Sequence, residues 1–244
     1  MPCFNEAARL DLEAFQSFAA RGTPVEFLFV NDGSSDATLA RLRELEATRR
    51  ESFAVLDLPR NVGKAEAVRA GLCVAFKSNA DYVGYWDADL ATPLDEIARF
   101  GAVLERLPEI ELVFGARVQL LGRTVRRSHL RHYLGRVFAT AVSQVLGLPI
   151  YDTQCGAKLM RRTPELAALF ATPFGVNWTF DVEILARLIQ SRLGGGLTPA
   201  SEAVYELPLE RWHDVAGSKV RPVDFFIAFY EIVRIWYRYR GREK

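Results

Sequence analysis

Short apolar runs alternate along the chain with longer segments in which apolar residues recur at helical spacing. The runs are nearly continuous and of strand length, which is typical of strands covered on both faces. Strands that alternate with helices predict an α/β fold built on a mostly parallel, doubly wound sheet. The predicted strands are Val25–Val30, Phe53–Leu58, Tyr82–Trp86, Leu112–Ala116 and Ala203–Leu207.

The N-terminus departs from this alternation. Met1–Glu6 has the composition of a loop that leaves a strand and enters the helix predicted at Ala7–Ala20, yet no strand precedes it. We therefore expect the first strand to be missing, or the reading frame to have been started too late. A missing inner strand leaves neighbouring edges unpaired and prone to aggregation.

The tail has a pattern of its own. Aromatic residues recur at helical spacing over Pro222–Tyr239, and Arg234, Arg238 and Arg240 cluster near its end. Such a helix either packs on the domain or lies in a membrane interface. We predict a globular domain at 1–220 and a C-terminal amphipathic helix at 221–244. No apolar run approaches the ~20 residues that span a bilayer.

The amino-acid composition excludes several classes of protein. Half of the 244 residues are apolar, which is enough for one full core, and the formal charge of +1 excludes a general electrostatic nucleic-acid binder. Three cysteines stand far apart, so neither a disulfide framework nor a zinc site is expected, and a reducing compartment fits. With no visible signal peptide, we expect a cytoplasmic protein that is soluble or peripheral.

Two carboxylates end the third predicted strand. Asp87 and Asp89 follow Tyr82–Trp86 directly. Ligands of open α/β sheets bind beyond the carboxyl ends of strands, and carboxylates are the hard oxygen ligands that Mg²⁺ or Mn²⁺ prefers. The alternative is that both are ordinary turn residues before the next helix.

Two further loops hold candidate nucleotide contacts. Asp32 ends a strand, Gly33 permits a tight turn, and the loop leads into a helix N-terminus suited to phosphate or ribose. Lys64 begins another helix, where its charge opposes the helix dipole unless an anion is bound nearby. No Gly-x-Gly-x-x-Gly follows any strand, so a dinucleotide site is not expected.

Charged residues of the second half allow two interpretations. The basic segment 117–136 is either a solvated face or a site for phosphate or an anionic membrane surface. Asp181 and Glu183 open a helix, where capping explains them and a catalytic role stays open. The basic residues are Arg117, Arg123, Arg126, Arg127, His129, Arg131, His132 and Arg136.

Seven motifs occur in order along nearly the whole chain: Pro2–Glu6, Val30–Thr38, Asn61–Lys64, Asp87–Asp89, Asp152–Lys158, Phe180–Glu183 and Gly217–Val220. In this set the chain resembles the family-2 inverting glycosyltransferases of GT-A fold. Within them it is most similar to the polyprenyl-phosphate sugar synthases, and the Asp152–Gly156 run is closest to dolichyl-phosphate beta-glucosyltransferase.

The resemblance implies roles for matching residues. Asp32 would contact the nucleotide base, Asp87 the ribose or metal, and Asp89 the divalent cation on the diphosphate. Asp152 and Lys158 would line the sugar and acceptor pocket. The implied catalytic residues are Asp89, Asp152 and Lys158; the nucleotide-sugar ligands are Pro2, Asn5, Glu6, Asp32, Lys64 and Asp87; the acceptor-phosphate ligands are Arg117 and Arg131; and the metal ligands, for Mg²⁺ or Mn²⁺, are Asp87 and Asp89.

The chain also departs from the pattern of the family. Ala91 stands where many relatives have Gln beside the metal, so two carboxylates would be the only protein ligands. Ala157 replaces a commonly aromatic residue, which would loosen the sugar or acceptor pocket. The transmembrane region that many relatives carry is not found.

The resemblance implies an inverting, metal-dependent transfer of a hexose from an NDP-sugar, with UDP-glucose favoured, to polyprenyl phosphate at the cytoplasmic face of a membrane. A phosphate acceptor is already anionic and needs cations, such as those of segment 117–136, more than a base. A saccharide hydroxyl acceptor would instead need a base, for which Asp152, Asp181 or Glu183 are available. A third possibility is a truncated pseudoenzyme that binds nucleotide or a membrane surface. No nucleic-acid partner is expected.

Overall fold

The computed structural model describes residues 1–126, 129–213, 215 and 222–240, without the side chains of 126, 129–132, 222 and 223. Its strands are β1 Pro2–Cys3, β2 Phe27–Asp32, β3 Phe53–Leu58, β4 Tyr82–Trp86, β5 Leu112–Ala116, β6 Thr124–Arg126, β7 Ala157–Arg161, β8 Val204–Pro208 and β9 Arg211–His213. Its helices are α1 Leu12–Ala19, α2 Thr38–Thr48, α3 Lys64–Ala75, α4 Glu96–Arg106, α5 His129–Leu146, α6 Pro164–Ala168, α7 Phe180–Arg192, α8 Ala200–Ala203 and α9 Pro222–Arg240.

The N-terminal half forms a parallel sheet in the order β1-β2-β3. The apolar side chains of β2 face a cluster of rings, in which Phe15 of α1 contacts Phe27 and Phe29 edge-on. Phe15, Phe29 and Phe53 are almost completely buried. Burying a phenylalanine side chain stabilises a fold by about 1.5–3 kcal/mol, so this cluster fixes the half that carries the first two loops.

The prediction that the first strand is missing needs a correction, because a strand of two residues, β1, is present. Pro2 and Cys3 pair in parallel with Val30 and Asn31 of β2, and the Val30 amide donates to the carbonyl of Met1 at 2.8 Å. The strand is only two residues long, too short for a periodic pattern to reveal. The first three residues therefore bond to β2 between Leu28 and Asn31.

The second sheet has the order β4-β7-β5-β8, and it is mixed. β5 and β8 are parallel, whereas β7 runs antiparallel to both β4 and β5. The doubly wound α/β prediction is confirmed, with β7 as the exception to parallel pairing. Gly84 of β4 lies against this strand, where an added Cβ would stand 2.1 Å from the carbonyl oxygen of Lys158.

Helix α9 packs on the domain along one face. Ala228, Ile232 and Ile235 are buried in a cluster with residues of α5 and α7. The opposite face exposes Phe226 and Tyr230, which are 77% and 64% accessible. The predicted tail helix is thus apolar on two faces, one packed and one open. No helix among the described residues has the length and apolar character needed to cross a membrane.

A buried carboxylate ties α9 to the start of α7. Glu231 accepts hydrogen bonds from the amides of Asn177, Trp178 and Thr179 at 2.8–2.9 Å, and from the Thr179 hydroxyl at 3.0 Å. These amides lie in the turn that leads into α7, of which Thr179 is the N-cap residue. The tail helix therefore holds the turn from which another helix begins.

Gly33 joins the loops that follow β2 and β3. Its φ is +60°, and an added Cβ would lie 2.3 Å from the carbonyl carbon of Arg60 and 2.4 Å from the amide nitrogen of Asn61. Both obstacles are backbone, so a side chain cannot be accommodated by a rotamer change. The close approach sets the distance between two of the loops at the carboxyl edge of the sheet.

We expect Gly33→Ala to lower the free energy of unfolding by about 3 kcal/mol or more, because left-handed strain and steric overlap add. Gly22→Ala is the matched control, since Gly22 also has positive φ (+71°) but nothing within 4 Å of an added Cβ. Its cost should be about 1–2 kcal/mol. Urea unfolding of both variants measures the difference, and equal losses would contradict the proposed contact.

Candidate functional site

The loop after β1 is fastened to the loop after β2. The amide of Asn5 donates to Ser34 Oγ at 3.0 Å, and the Asn5 side chain accepts from the Ser35 amide at 2.9 Å. The Glu6 amide donates to Thr38 Oγ1 at 2.8 Å. Asn5 has a φ of +51°, which this network sustains. Two predicted nucleotide contacts, Asn5 and Glu6, are thereby brought to the carboxyl end of β2.

Asp32 fixes the start of α3. Its two carboxylate oxygens accept from the amides of Val62 and Gly63 at 2.7 and 3.0 Å, and only 2% of the residue is exposed. Hydrogen bonds to a charged group are worth about 1.5–3 kcal/mol each. The predicted base contact by Asp32 stays a prediction, because the described contacts are with the protein's own backbone.

Lys64, the first residue of α3, reaches across to β4. Its Nζ lies 2.6 Å from Oδ1 of Asp87. Burial opposes the ammonium charge, but the adjoining Asp87 carboxylate raises the pKa of Lys64 overall. The sequence analysis expected an anion beside Lys64 at the start of this helix. In this structure that anion is the Asp87 carboxylate.

Gly156 lies directly against the Asp87 carboxylate. The Asp87 amide donates to the Gly156 carbonyl at 2.8 Å, and a Cβ added to Gly156 would lie 1.9 Å from Asp87 Oδ2. Sequence reasoning missed this residue. The available signal was a glycine inside the Asp152–Lys158 motif, directly before β7, but a glycine does not say which group comes close to it.

Asp89 completes the acidic pair. Burial, together with the neighbouring negative charge of Asp87, raises the pKa of Asp89. One oxygen accepts from the Ala91 amide at 3.1 Å. Such a shift is what two carboxylates produce when they share a small volume without a cation.

Asp87 and Asp89 fit a divalent cation that would be held partly by the protein and partly by the phosphates of a bound substrate. Asp87 Oδ1 is buried, and among the described residues its close partner is a cation, the Lys64 ammonium at 2.6 Å, rather than a hydrogen-bond donor of the backbone. No group of three or more His, Cys, Asp or Glu ligands occurs in the described part of the chain. Mg²⁺ is commonly bound by one or two carboxylates plus substrate phosphates. The prediction that Asp87 and Asp89 are the two metal ligands stays a prediction.

Arg117 and Asp152 form a paired unit above β5. Arg117 Nε and Nη2 donate to the two Asp152 oxygens at 2.6 and 2.8 Å, and the Arg117 amide adds a third bond at 3.1 Å. Burial opposes the guanidinium charge, but Asp152 raises the pKa of Arg117. Glu206 of β8, not singled out from the sequence, accepts from the amides of Tyr151 and Asp152 and so holds this loop.

Lys158 lies beneath the site. The side chain has no exposed surface; its Nζ donates to the carbonyls of Thr153 and Cys155 at 3.0 Å and lies 2.6 Å from Asp181 Oδ1. Burial lowers the pKa of Lys158 to about 8 and raises that of Asp181 to about 8. Tyr85 donates its hydroxyl to Asp181. In this structure Lys158 supports the Thr153–Gly156 loop, and its role in lining the sugar and acceptor pocket stays a prediction.

Glu183 is a structural carboxylate. It accepts from the Gly175 amide at 2.7 Å, Arg187 Nη2 at 2.8 Å and the Tyr239 hydroxyl at 2.8 Å, and it is completely buried. The first-turn pair of α7 thus has two supporting functions: Asp181 holds Lys158, and Glu183 holds α9.

The basic segment 117–136 is only partly gathered at the site. Arg123 donates to the carbonyls of Pro208 and Leu209, and Arg136 stacks 3.9 Å from the Tyr151 ring centroid. Arg131 lies in α5, but its side chain is outside the described residues, as is the predicted Gly217–Val220 motif. Pro2 stands in β1 at the edge of the first loop.

Comparison with known proteins agrees with this geometry. A family model described as Glycosyl transferase family 2 matches residues 1–166. The chain is 32% identical to dolichyl-phosphate beta-glucosyltransferase ALG5C of Trichomonas vaginalis, covering 91% of this chain and 65% of that protein. It is also 32% identical to dolichyl-phosphate beta-glucosyltransferase of Drosophila melanogaster, covering 98% and 74%. The chain thus spans about two thirds to three quarters of these relatives.

A solved structure confirms the fold. The glucosyl-3-phosphoglycerate synthase of Mycobacterium tuberculosis, in complex with Mn²⁺ and uridine-diphosphate-glucose, superposes with a TM-score of 0.64 at 21% identity, covering 98% of this chain and 77% of that one. The predicted GT-A fold is thereby confirmed.

We expect Gly156→Ala to weaken Mn²⁺ binding about tenfold or more, because the new methyl group displaces the Asp87 carboxylate. Gly101→Ala is the control: Gly101 lies in α4 with nothing within 4 Å of an added Cβ, and alanine is the better helix former. Isothermal titration of folded protein measures both affinities. Binding by Gly156→Ala within twofold of wild type would contradict the close contact.

Proposed function

The chain belongs to glycosyl transferase family 2, and we propose that it transfers glucose from UDP-glucose to a polyprenyl phosphate, with inversion and with a divalent cation at Asp87 and Asp89. The names of its relatives support the donor sugar and the lipid-phosphate acceptor. A fold neighbour in complex with Mn²⁺ and uridine-diphosphate-glucose supports the cation and the nucleotide.

One observation carries the choice of acceptor. Of the three carboxylates predicted as alternatives for a base, each is engaged with a cation or with buried donors: Asp152 with Arg117, Asp181 with Lys158, and Glu183 with Arg187. A sugar hydroxyl needs a base to take its proton, whereas a phosphate monoester is already anionic near neutral pH. The occupied carboxylates therefore favour a phosphate acceptor.

The chain's own residues then orient and neutralise two anions. A cation held by Asp87 and Asp89 would offset the charge that develops on the diphosphate leaving group. Lys64, at the N-terminus of α3, supplies positive charge beside the same phosphates. Arg117 uses Nε and Nη2 for Asp152, which holds the guanidinium plane. Nη1, which has no hydrogen bond recorded within the described part of the chain, is proposed to bind the acceptor phosphate. Arg131 is proposed as a second acceptor ligand.

A surface formed by α5 and α9 supports binding to a membrane at its cytoplasmic face. The rings of Phe138 and Phe229 bring the helices together at a centroid distance of 6.1 Å. Their outer faces expose large side chains, and exposed apolar patches rimmed by polar groups mark interaction sites. We call this surface the apolar face; it consists of Tyr133, Val137, Phe226, Phe229, Tyr230, Val233 and Tyr237.

We expect Asp89→Asn to retain stability but to lose turnover by on the order of 10³, because about 4 kcal/mol of leaving-group stabilisation is lost. Removing one of two repelling carboxylates costs the metal-free fold little. The measurement is transfer of radiolabel from several NDP-sugars to lipid-extractable product with polyprenyl phosphate and Mn²⁺.

Asp81→Asn is the control for this variant, since Asp81 is exposed just before β4 begins, at the opposite end of the strand. Its turnover should match wild type. Activity of Asp89→Asn within threefold of wild type would remove the metal-dependent mechanism. Label recovered only on a saccharide would favour the hydroxyl-acceptor alternative, and no transfer from any donor would favour the pseudoenzyme.

We expect the protein to co-sediment with anionic vesicles, less at high salt, and the double substitution Phe226→Ser and Tyr230→Ser to weaken this without lowering the melting temperature. Deleting α9 is an unsuitable test because its inner face is part of the core. Val74→Ser, on an exposed position of α3, is the control. Unchanged binding by the double variant would show that the apolar face is not the docking surface.

A further inference from the structure

Lys64 covers the carboxylate oxygen that the cation needs. Its ammonium is 2.6 Å from Asp87 Oδ1, whereas Oδ2 faces the backbone of Gly156. A lysine at a helix N-terminus opposes the helix dipole, so Asp87 is the partner that offsets this placement. Without any cation, Asp87 and Asp89 would repel each other. Lys64 therefore does for the protein alone part of what the divalent cation would do.

We propose that Lys64 is an exchangeable internal cation: it occupies Asp87 in the ligand-free protein, yields that oxygen to the divalent ion, and moves to the diphosphate that arrives with it. The proposal rests on the nucleotide-sugar site proposed above and adds the order in which that site fills. Metal and nucleotide then bind as a coupled pair, because the metal displaces the Lys64 ammonium from Asp87 and the diphosphate gives that ammonium a new partner.

The side chain and its anchor suit such an exchange. About half of the Lys64 side chain is exposed (48%), and its four-carbon stem is flexible. The backbone beneath it is fixed, since the amides of Val62 and Gly63 are held by Asp32. Only the ammonium group has to move, and the α3 N-terminus to which it is attached is itself a favourable place for phosphate.

An ammonium and a divalent cation on the same Asp87 oxygen repel each other. The other oxygen, Oδ2, lies on the side of Gly156, where an added Cβ would stand 1.9 Å from it. A metal that binds alone therefore displaces the Lys64 ammonium without giving it a new partner. When a diphosphate binds with the metal, the displaced ammonium pairs with the diphosphate. The coupling is reciprocal, so each ligand strengthens the other by the same factor.

The experiment measures Mn²⁺ affinity of the full chain, with and without UDP, by electron paramagnetic resonance of free Mn²⁺. Lys64→Met should bind Mn²⁺ alone about tenfold more tightly than wild type and lose most of the enhancement that UDP gives. Lys64→Arg should retain the enhancement. Lys77→Met removes an exposed lysine just beyond the other end of α3 and should behave as wild type.

Mn²⁺ binding by Lys64→Met that is no tighter than wild type, or an unchanged enhancement by UDP, overturns the proposal. Absence of Mn²⁺ binding in every variant, with UDP present, overturns it as well. Lys64→Gln provides a second neutral variant if Lys64→Met is not folded by circular dichroism. The transfer assay is a separate experiment. If it showed another acceptor or another sugar, the proposed exchange of Lys64 would still stand, because the test of that exchange uses only Mn²⁺ and UDP.

Discussion

The site depends on a lysine ammonium that has no contact with water. Lys158 is inside the sheet, beside the rings of Tyr85 and Phe114 at 5.2 and 5.7 Å, and its charge has to be matched there. An unpaired buried charge is strongly destabilising, so Asp181 and the carbonyls of Thr153 and Cys155 are not optional partners. Their positions fix the loop that carries Asp152 and Gly156, and through Gly156 the direction of Asp87. The Lys158–Asp181 ion pair thus helps to fix the position of the Asp87 carboxylate.

Much of the fold follows from the sequence because its strands are short apolar runs followed by polar turns. Strands β2 to β5 and β8 lie within a few residues of their predicted places, and Asp32, Asp87 and Asp89 stand where strands end. Polar residues at strand ends are expected of an α/β site, but the contact of Lys64 with Asp87, which joins the loops of two different sheets, needed the structure. The direction of β7 could not be predicted, since its alternation of polar and apolar residues fits either direction.

The distinction between a site residue and its support is where sequence reasoning ends. Lys158, Asp181 and Glu183 are charged residues within family-like motifs, and the sequence alone left a functional role open for each of them. What separates them is burial and partner choice, which depend on contacts between residues far apart in the chain. Glu206 and Glu231 show the converse: each is one acidic residue in an apolar strand or helix, a pattern that signals a buried partner without identifying it.

The two-sided character of α9 has a consequence for handling the protein. Its inner face is a fixed part of the core, so the outer apolar face cannot be removed by trimming the chain, and in plain buffer it meets only water or another molecule. Self-association through this face at high concentration then results from the contact of apolar side chains with water and does not define a quaternary structure. An oligomer seen by size-exclusion chromatography should disperse when mild detergent is added, and only one that persists describes an assembly.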